Sequence, residues 1–269
     1  MRSRLVYLPG LFVLLMSTAL ILHGPITQYA HYHAFADTSS HWGIPNALDV
    51  LSNFPFAVVG IIGLIGIVAT IFRAHDFKPY AMNNGALQCA HFAFALSICA
   101  TSFGSTYYHL APDDARLFWD RLPIALACAS LLVAVHIEAR NTSSIAGAQN
   151  RRATFLEYGE LLIMLLFAIV SVLWWQHTGD LRLYLGLQVM AIILIPLWQF
   201  IYPIARTHRI FFGMAIAAYV LAKLTEIGDA AILAHTGLIS GHSIKHLFAA
   251  GAAGLILYVW RIDNSEMKY

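Results

Sequence analysis

The sequence predicts an all-α fold, a polytopic bundle of transmembrane helices, and three observations predict it. Of the 269 residues, 59% are hydrophobic and only 11% are charged, against about 25% charged in soluble domains. Mean hydropathy is +0.68. The apolar residues also fall in runs close to the roughly 20 needed to cross a bilayer. Short connections rich in Pro, Asn, Asp and Arg separate them, such as "FRAHDFKPYAMNNG" and "ARNTSSIAGAQNRR".

Eight such runs occur, at roughly 5–22, 51–72, 86–104, 121–137, 155–175, 183–204, 210–228 and 243–260. The first follows "MRSR" and reads as an uncleaved signal anchor. The A-x-A-like stretch Ala34-Phe35-Ala36 lies too far beyond it for an ordinary cleavage site. No long polar segment, fixed-period repeat or low-complexity tract interrupts the pattern. The net charge of +2 gives no case for nucleic-acid binding. Cys89, Cys99 and Cys128 all sit inside apolar runs, odd in number and without zinc or redox spacing, and so read as small core residues.

Basic residues set the expected orientation. Arg2, Arg4, Arg73, Lys78, Arg140, Arg151, Arg152, Arg206, Arg209, Arg261 and Lys268 fall on one side, and only Arg116, Arg121 and Arg182 on the other. The positive-inside rule then makes both termini cytoplasmic and puts the segment 24–50 outside.

Under that topology, costly polar residues gather at the outer ends of three distant runs. "FGSTYYH" closes the third run with Ser105 and His109. "FWDRLP" opens the fourth, with Asp120 ahead of Pro123, a residue suited to helix entry. "GHSIKH" opens the eighth with His242, Lys245 and His246. His242 and His246 are i, i+4 and share a helix face, as do Ser105 and His109. A lone His-x-x-x-His at a helix end is often just a pair bound to water or headgroups. Three imidazoles at one depth are more: they match a catalytic Zn²⁺ site that keeps a fourth position open. Zinc would activate water near neutral pH, Asp120 could shuttle protons, and the Ser105 hydroxyl could face a developing oxyanion.

The remaining polar residues carry weaker signals. Lys245 reads as a snorkelling side chain or the partner of an acid, and Lys223 with Glu226 (i, i+3) as an ion pair. His91 reads as a satisfied core histidine, and His23, His31, His33 and His41 as members of a solvated segment.

Taken together, "HWGIPNALDVLSNFPF", "FGSTYYHLAPDDARLFWDRLP" and "AKLTEIGDAAILAHTGLISGHSIKH" resemble the alkaline ceramidases. These belong to a superfamily of seven-span membrane hydrolases that includes the progestin and adiponectin receptors. The likeness runs from about residue 40 to the C-terminus, with its motifs in order: a Ser-Asn pair opening the first core span, Ser-x-x-x-His ending the second, Asp opening the third, His-x-x-x-His opening the seventh. The resemblance implies a seven-helix hydrolase core in 40–269, preceded in 1–39 by a signal-anchor helix and outer segment. It implies zinc on His109, His242 and His246, with Asp120 and Ser105 beside it. It further implies hydrolysis of ceramide or a related lipid amide, drawn from the bilayer, to a sphingoid base and a fatty acid. Eukaryotic members carry an acid-rich segment before their first core span that is implied to bind calcium. Here "SHWGIPNALDV" offers Asp49 as its one carboxylate, few for a cation that takes six to eight oxygens.

The short loops and basic asymmetry fit a bacterial inner-membrane protein with its site near the outer face. Two other readings stay open at this level. One is a non-catalytic, zinc-containing lipid receptor of the same fold, and the other a haem or proton-transfer protein using paired histidines.

Overall fold

The computed structural model describes residues 5–74, 85–143 and 151–266. Arg2, Arg4, His75, Lys78 and Lys268, and the middles of the two polar connections quoted above, lie outside the described residues. Among those residues the chain is a helical bundle. Its elements are α1 (Leu8–His23), the strands β1 (Ser40–His41) and β2 (Ile44–Pro45), α2 (Ala47–Leu51), α3 (Phe54–Ala74), α4 (Gly85–Leu110), α5 (Asp114–Ser143), α6 (Arg151–Thr178), α7 (Arg182–Ile201), α8 (Arg206–Ile227), α9 (Asp229–Thr236) and α10 (Gly241–Glu266).

Seven helices, α3 to α8 and α10, are long and apolar enough to cross a membrane. The chain is an integral membrane protein. An apolar run inside a bilayer must satisfy every backbone group internally, so it coils into a helix throughout. The outward faces agree. Ile61, Ile62 and Ile65 on α3, and Leu162, Ile163 and Leu166 on α6, are largely exposed. Such a belt would be an aggregation surface in water and is solvated by lipid instead. The first apolar run forms a helix of 16 residues, α1, none of them buried. It lies on α7, where the Met16 and Leu20 side chains reach Gly186 and the Arg182 guanidinium donates to the Leu20 carbonyl at 3.2 Å.

Inside the bundle, α5 is the central helix, packed on α4, α6 and α7, while α10 closes the circuit between α8 and α3. Its buried face is lined by Ala125, Ala127, Ala129, Ala134 and Ala139, whose small side chains let neighbouring helices come close.

Helices α4 and α5 extend beyond their apolar runs, and the extension places functional residues within the helices. α4 continues through Ser105 and His109 to Leu110. α5 starts at Asp114 because the Asp113 carboxylate caps it, accepting the backbone N–H of Arg116 at 2.7 Å. Pro123, expected at a helix entry, therefore lies inside α5 and Asp120 in its second turn.

That proline shapes the α4–α5 contact. Lacking an N–H, Pro123 leaves the Trp119 carbonyl four residues earlier without its helical donor. Gly104 of α4 sits directly against that carbonyl: a Cβ there would stand 2.0 Å from the oxygen. The helices thus touch backbone to backbone one residue before Ser105 and Asp120. Gly104→Ala is expected to force α4 and α5 apart, costing about 1–3 kcal/mol as overpacking does. A lower thermal midpoint in detergent, measured against wild type, checks this.

The chain between α1 and α3 is laid across one end of the bundle. The Ile26 N–H donates to Asp180 at 3.1 Å, and its carbonyl accepts the Leu181 N–H at 2.8 Å. Burial pushes the Asp180 carboxyl up, but N–H groups from Arg182, Ile26 and Trp174 outweigh it and hold it at about 2. Further along, Asp37 accepts the backbone N–H groups of Leu48 and Asp49, capping α2 from outside its own helix. At the far end of the bundle lie Arg140, Arg206, Arg209 and Arg261.

Candidate metal centre

His109 stands near the end of α4, and His242 and His246 in the first two turns of α10. The structure brings all three together. Their ring centroids are 4.8, 5.1 and 4.8 Å apart, the rings are almost wholly buried, and one nitrogen from each lies within 4.8 Å of the others. Among the described residues they make the one three-member group of His, Cys, Asp or Glu able to hold a metal ion.

The hydrogen bonds fix which nitrogens face inward. The Ser52 hydroxyl gives its single proton to the Asp49 carbonyl at 3.0 Å, so its oxygen accepts from His246 Nδ1 at 2.7 Å. His246 Nε2 keeps its lone pair. The Lys245 ammonium, a donor only, lies 3.0 Å from His242 Nε2, which must therefore carry a lone pair too. His109 Nε2 approaches that same atom at 3.2 Å, and its Nδ1 is buried with no partner among the described residues. Crowded lone-pair nitrogens in a buried site are the chemistry of a cation-binding centre with imidazole ligands.

A second layer holds the ligands in place. Asn46, at φ 49° in the left-handed region that asparagine tolerates, donates Nδ2–H to the His109 carbonyl at 2.9 Å. The Asp229 carboxylate accepts the His242 N–H at 2.8 Å and the Ala36 N–H at 2.9 Å. Asp49 accepts the hydroxyls of Ser240 and Ser243 at 2.8 and 2.6 Å, which turns it inward onto α10. Gly241 permits the junction: a Cβ there would lie 2.1 Å from the Thr225 carbonyl oxygen. Ser52→Ala is expected to weaken metal affinity about 10–100-fold, as loss of such a supporting partner does, with the helices unchanged. Competitive chelator titration of the purified variant measures it.

The other predicted pair stands on neighbouring backbones: Ser105 follows Gly104, which lies against the Trp119 carbonyl and the Asp120 nitrogen of α5. Lys245 pairs with Glu226 at 2.9 Å, and Glu226 also with Lys223 at 2.8 Å, so the i, i+3 ion pair is one side of a three-residue cluster. Arg121, next to Asp120, is buried against the Trp175 ring at 3.9 Å, with Tyr32 and Tyr184 around it.

Over the histidines lies Phe35, its ring centroid 4.7 Å from His109 and 4.4 Å from His242. His33 binds the Tyr108 hydroxyl at 2.8 Å beside it. Sequence reasoning missed Phe35 and Asp229 and gave the Ser52-Asn53 pair no role. Their partners lie far along the chain, and no spacing reveals them. His91 meets Glu138 at 3.1 Å and stacks on Trp260 at 3.9 Å, a satisfied core histidine. No protein-family model and no curated protein matches the chain.

Proposed function

We propose that the chain is a zinc-dependent membrane amidase that cleaves the N-acyl bond of ceramide or a related lipid amide, releasing a sphingoid base or amine lipid and a fatty acid. The observation that carries this reading is the convergence of three buried imidazoles on one point. The motif resemblance to alkaline ceramidases supports the substrate class.

His109, His242 and His246 would hold the metal. Zinc suits three imidazoles with an open position and supplies a Lewis acid and a water made nucleophilic near neutral pH. The protein's own groups do the rest. Asp120 takes a proton from the attacking water and returns it to the amide nitrogen, which leaves poorly unless protonated. Ser105, one residue past the Gly104 contact with α5, offers a hydroxyl donor to the developing oxyanion. Phe35 and Tyr108 pack on the ligand rings and keep bulk water from them.

The geometry disfavours haem, whose two axial imidazoles need opposite faces of a flat macrocycle. Here three rings crowd within about 5 Å of one another. The basic asymmetry of the sequence supports cytoplasmic termini and a site near the outer face of a bacterial inner membrane, open to lipid amides from the bilayer. A panel of acyl-labelled ceramides and simpler lipid amides, given to detergent-purified protein, tests the reading. Release of labelled fatty acid that chelation abolishes and zinc restores is the expected result. A zinc-loaded protein that binds these lipids without cleaving any would make it a receptor instead.

A further inference from the structure

The mechanism so far leaves one strongly charged group beside the ligands unused. Lys245 sits between His242 and His246 in sequence, and its Nζ lies 3.0 Å from His242 Nε2 and 2.9 Å from Glu226 Oε1. Glu226 in turn binds Lys223 at 2.8 Å. Lys245 and Lys223 thus share the Glu226 carboxylate between them.

An ammonium has three N–H donors and no acceptor. One is spent on Glu226. A second rests on a nitrogen whose lone pair would belong to the metal in the loaded protein, so that donor is released. Lys245, whose Nζ lies beside the ligand nitrogens, has both a positive charge and a donor to spare.

We infer that Lys245 binds the acyl oxygen of the substrate and then the carboxylate of the released fatty acid, making the site selective for acyl chains that end in a carbonyl carbon. This rests on the amidase reading. Water oxygen adds to the carbonyl carbon, the C–N bond breaks, and both water protons end on the nitrogen, which leaves as an ammonium. The product is a carboxylate whose original carbonyl oxygen has stayed on Lys245. Glu226, with Lys223 behind it, is the positioning group that holds the lysine upright over the site.

The test is binding rather than turnover alone. Labelled oleate and the uncharged oleyl alcohol are equilibrated with zinc-free wild type, Lys245→Met and Lys245→Arg in detergent, and zinc uptake by each protein is measured in parallel. Zinc-free wild type is expected to prefer oleate by about ten-fold or more, the weight of a charge-assisted hydrogen bond. Lys245→Met should lose that preference while still taking up one zinc per chain, and Lys245→Arg should restore most of it. In ceramide assays Lys245→Met should lose kcat far more than KM. Equal binding of oleate and oleyl alcohol to zinc-free wild type would overturn the proposal without reference to any variant. So would a zinc-binding Lys245→Met protein that keeps the oleate preference. Carboxylate preference without hydrolysis of any amide sinks the amidase reading and leaves Lys245 as a fatty-acid anchor, so the two failures are distinct.

Discussion

His246→Ala is expected to purify with far less than one zinc per chain and with no measurable amide hydrolysis, and His109→Ala and His242→Ala should behave alike. The three rings crowd around one point, with centroids 4.8 to 5.1 Å apart, so removing any one leaves a two-imidazole remnant. Loss of a mere supporting hydrogen bond costs about 10–100-fold in metal affinity, and loss of a ligand should exceed it. His91→Ala is the control. Its ring lies on Trp260 and Glu138, away from the centre, so zinc should stay while thermal stability falls. Metal analysis after dialysis reads both outcomes, and full zinc in His246→Ala would refute the three-histidine centre.

Asp120→Asn should keep one zinc and lose turnover by about 10²–10⁴-fold, the usual weight of general acid–base catalysis. The amide side chain preserves shape, so folding should survive. What it lacks is the ability to take a proton from water and hand it to nitrogen. The defect should shrink for substrates whose leaving group is a better-leaving aryl amine, since these depend less on protonation. An Asp120→Asn protein as fast as wild type on ceramide would remove the carboxylate from the mechanism.

Much of this architecture was legible because a bilayer imposes a simple code. Apolar runs such as 155–175 and 183–204 have no alternative to helix in lipid, and all eight runs contain one. Helix ends were less legible. Asp113 captures the Arg116 N–H and starts α5 ahead of its apolar run, which moves Asp120 and Pro123 into the helix. The i, i+4 spacing of His242 and His246 announced a shared face, and His109 could be expected beside them. The supporting contacts could not. Ser52 finds His246 across 194 positions, and Phe35 lands on two histidines from a segment without regular structure. Lys245 reads from sequence as a snorkelling side chain or the partner of an acid, and the acid is Glu226, 19 positions earlier. Asp37 spends its oxygens on backbone N–H groups and the Ser39 hydroxyl, and Asp49 accepts two serine hydroxyls at Oδ1.

The most direct measurement is a zinc titration of metal-free protein with fatty-acid release from ceramide, or from the best amide of the panel, read in the same sample. The account predicts that hydrolysis rises in proportion to bound zinc and levels off at one zinc per chain. Hydrolysis that is unchanged in metal-free protein, or one zinc bound tightly with no amide of the panel cleaved, would contradict it.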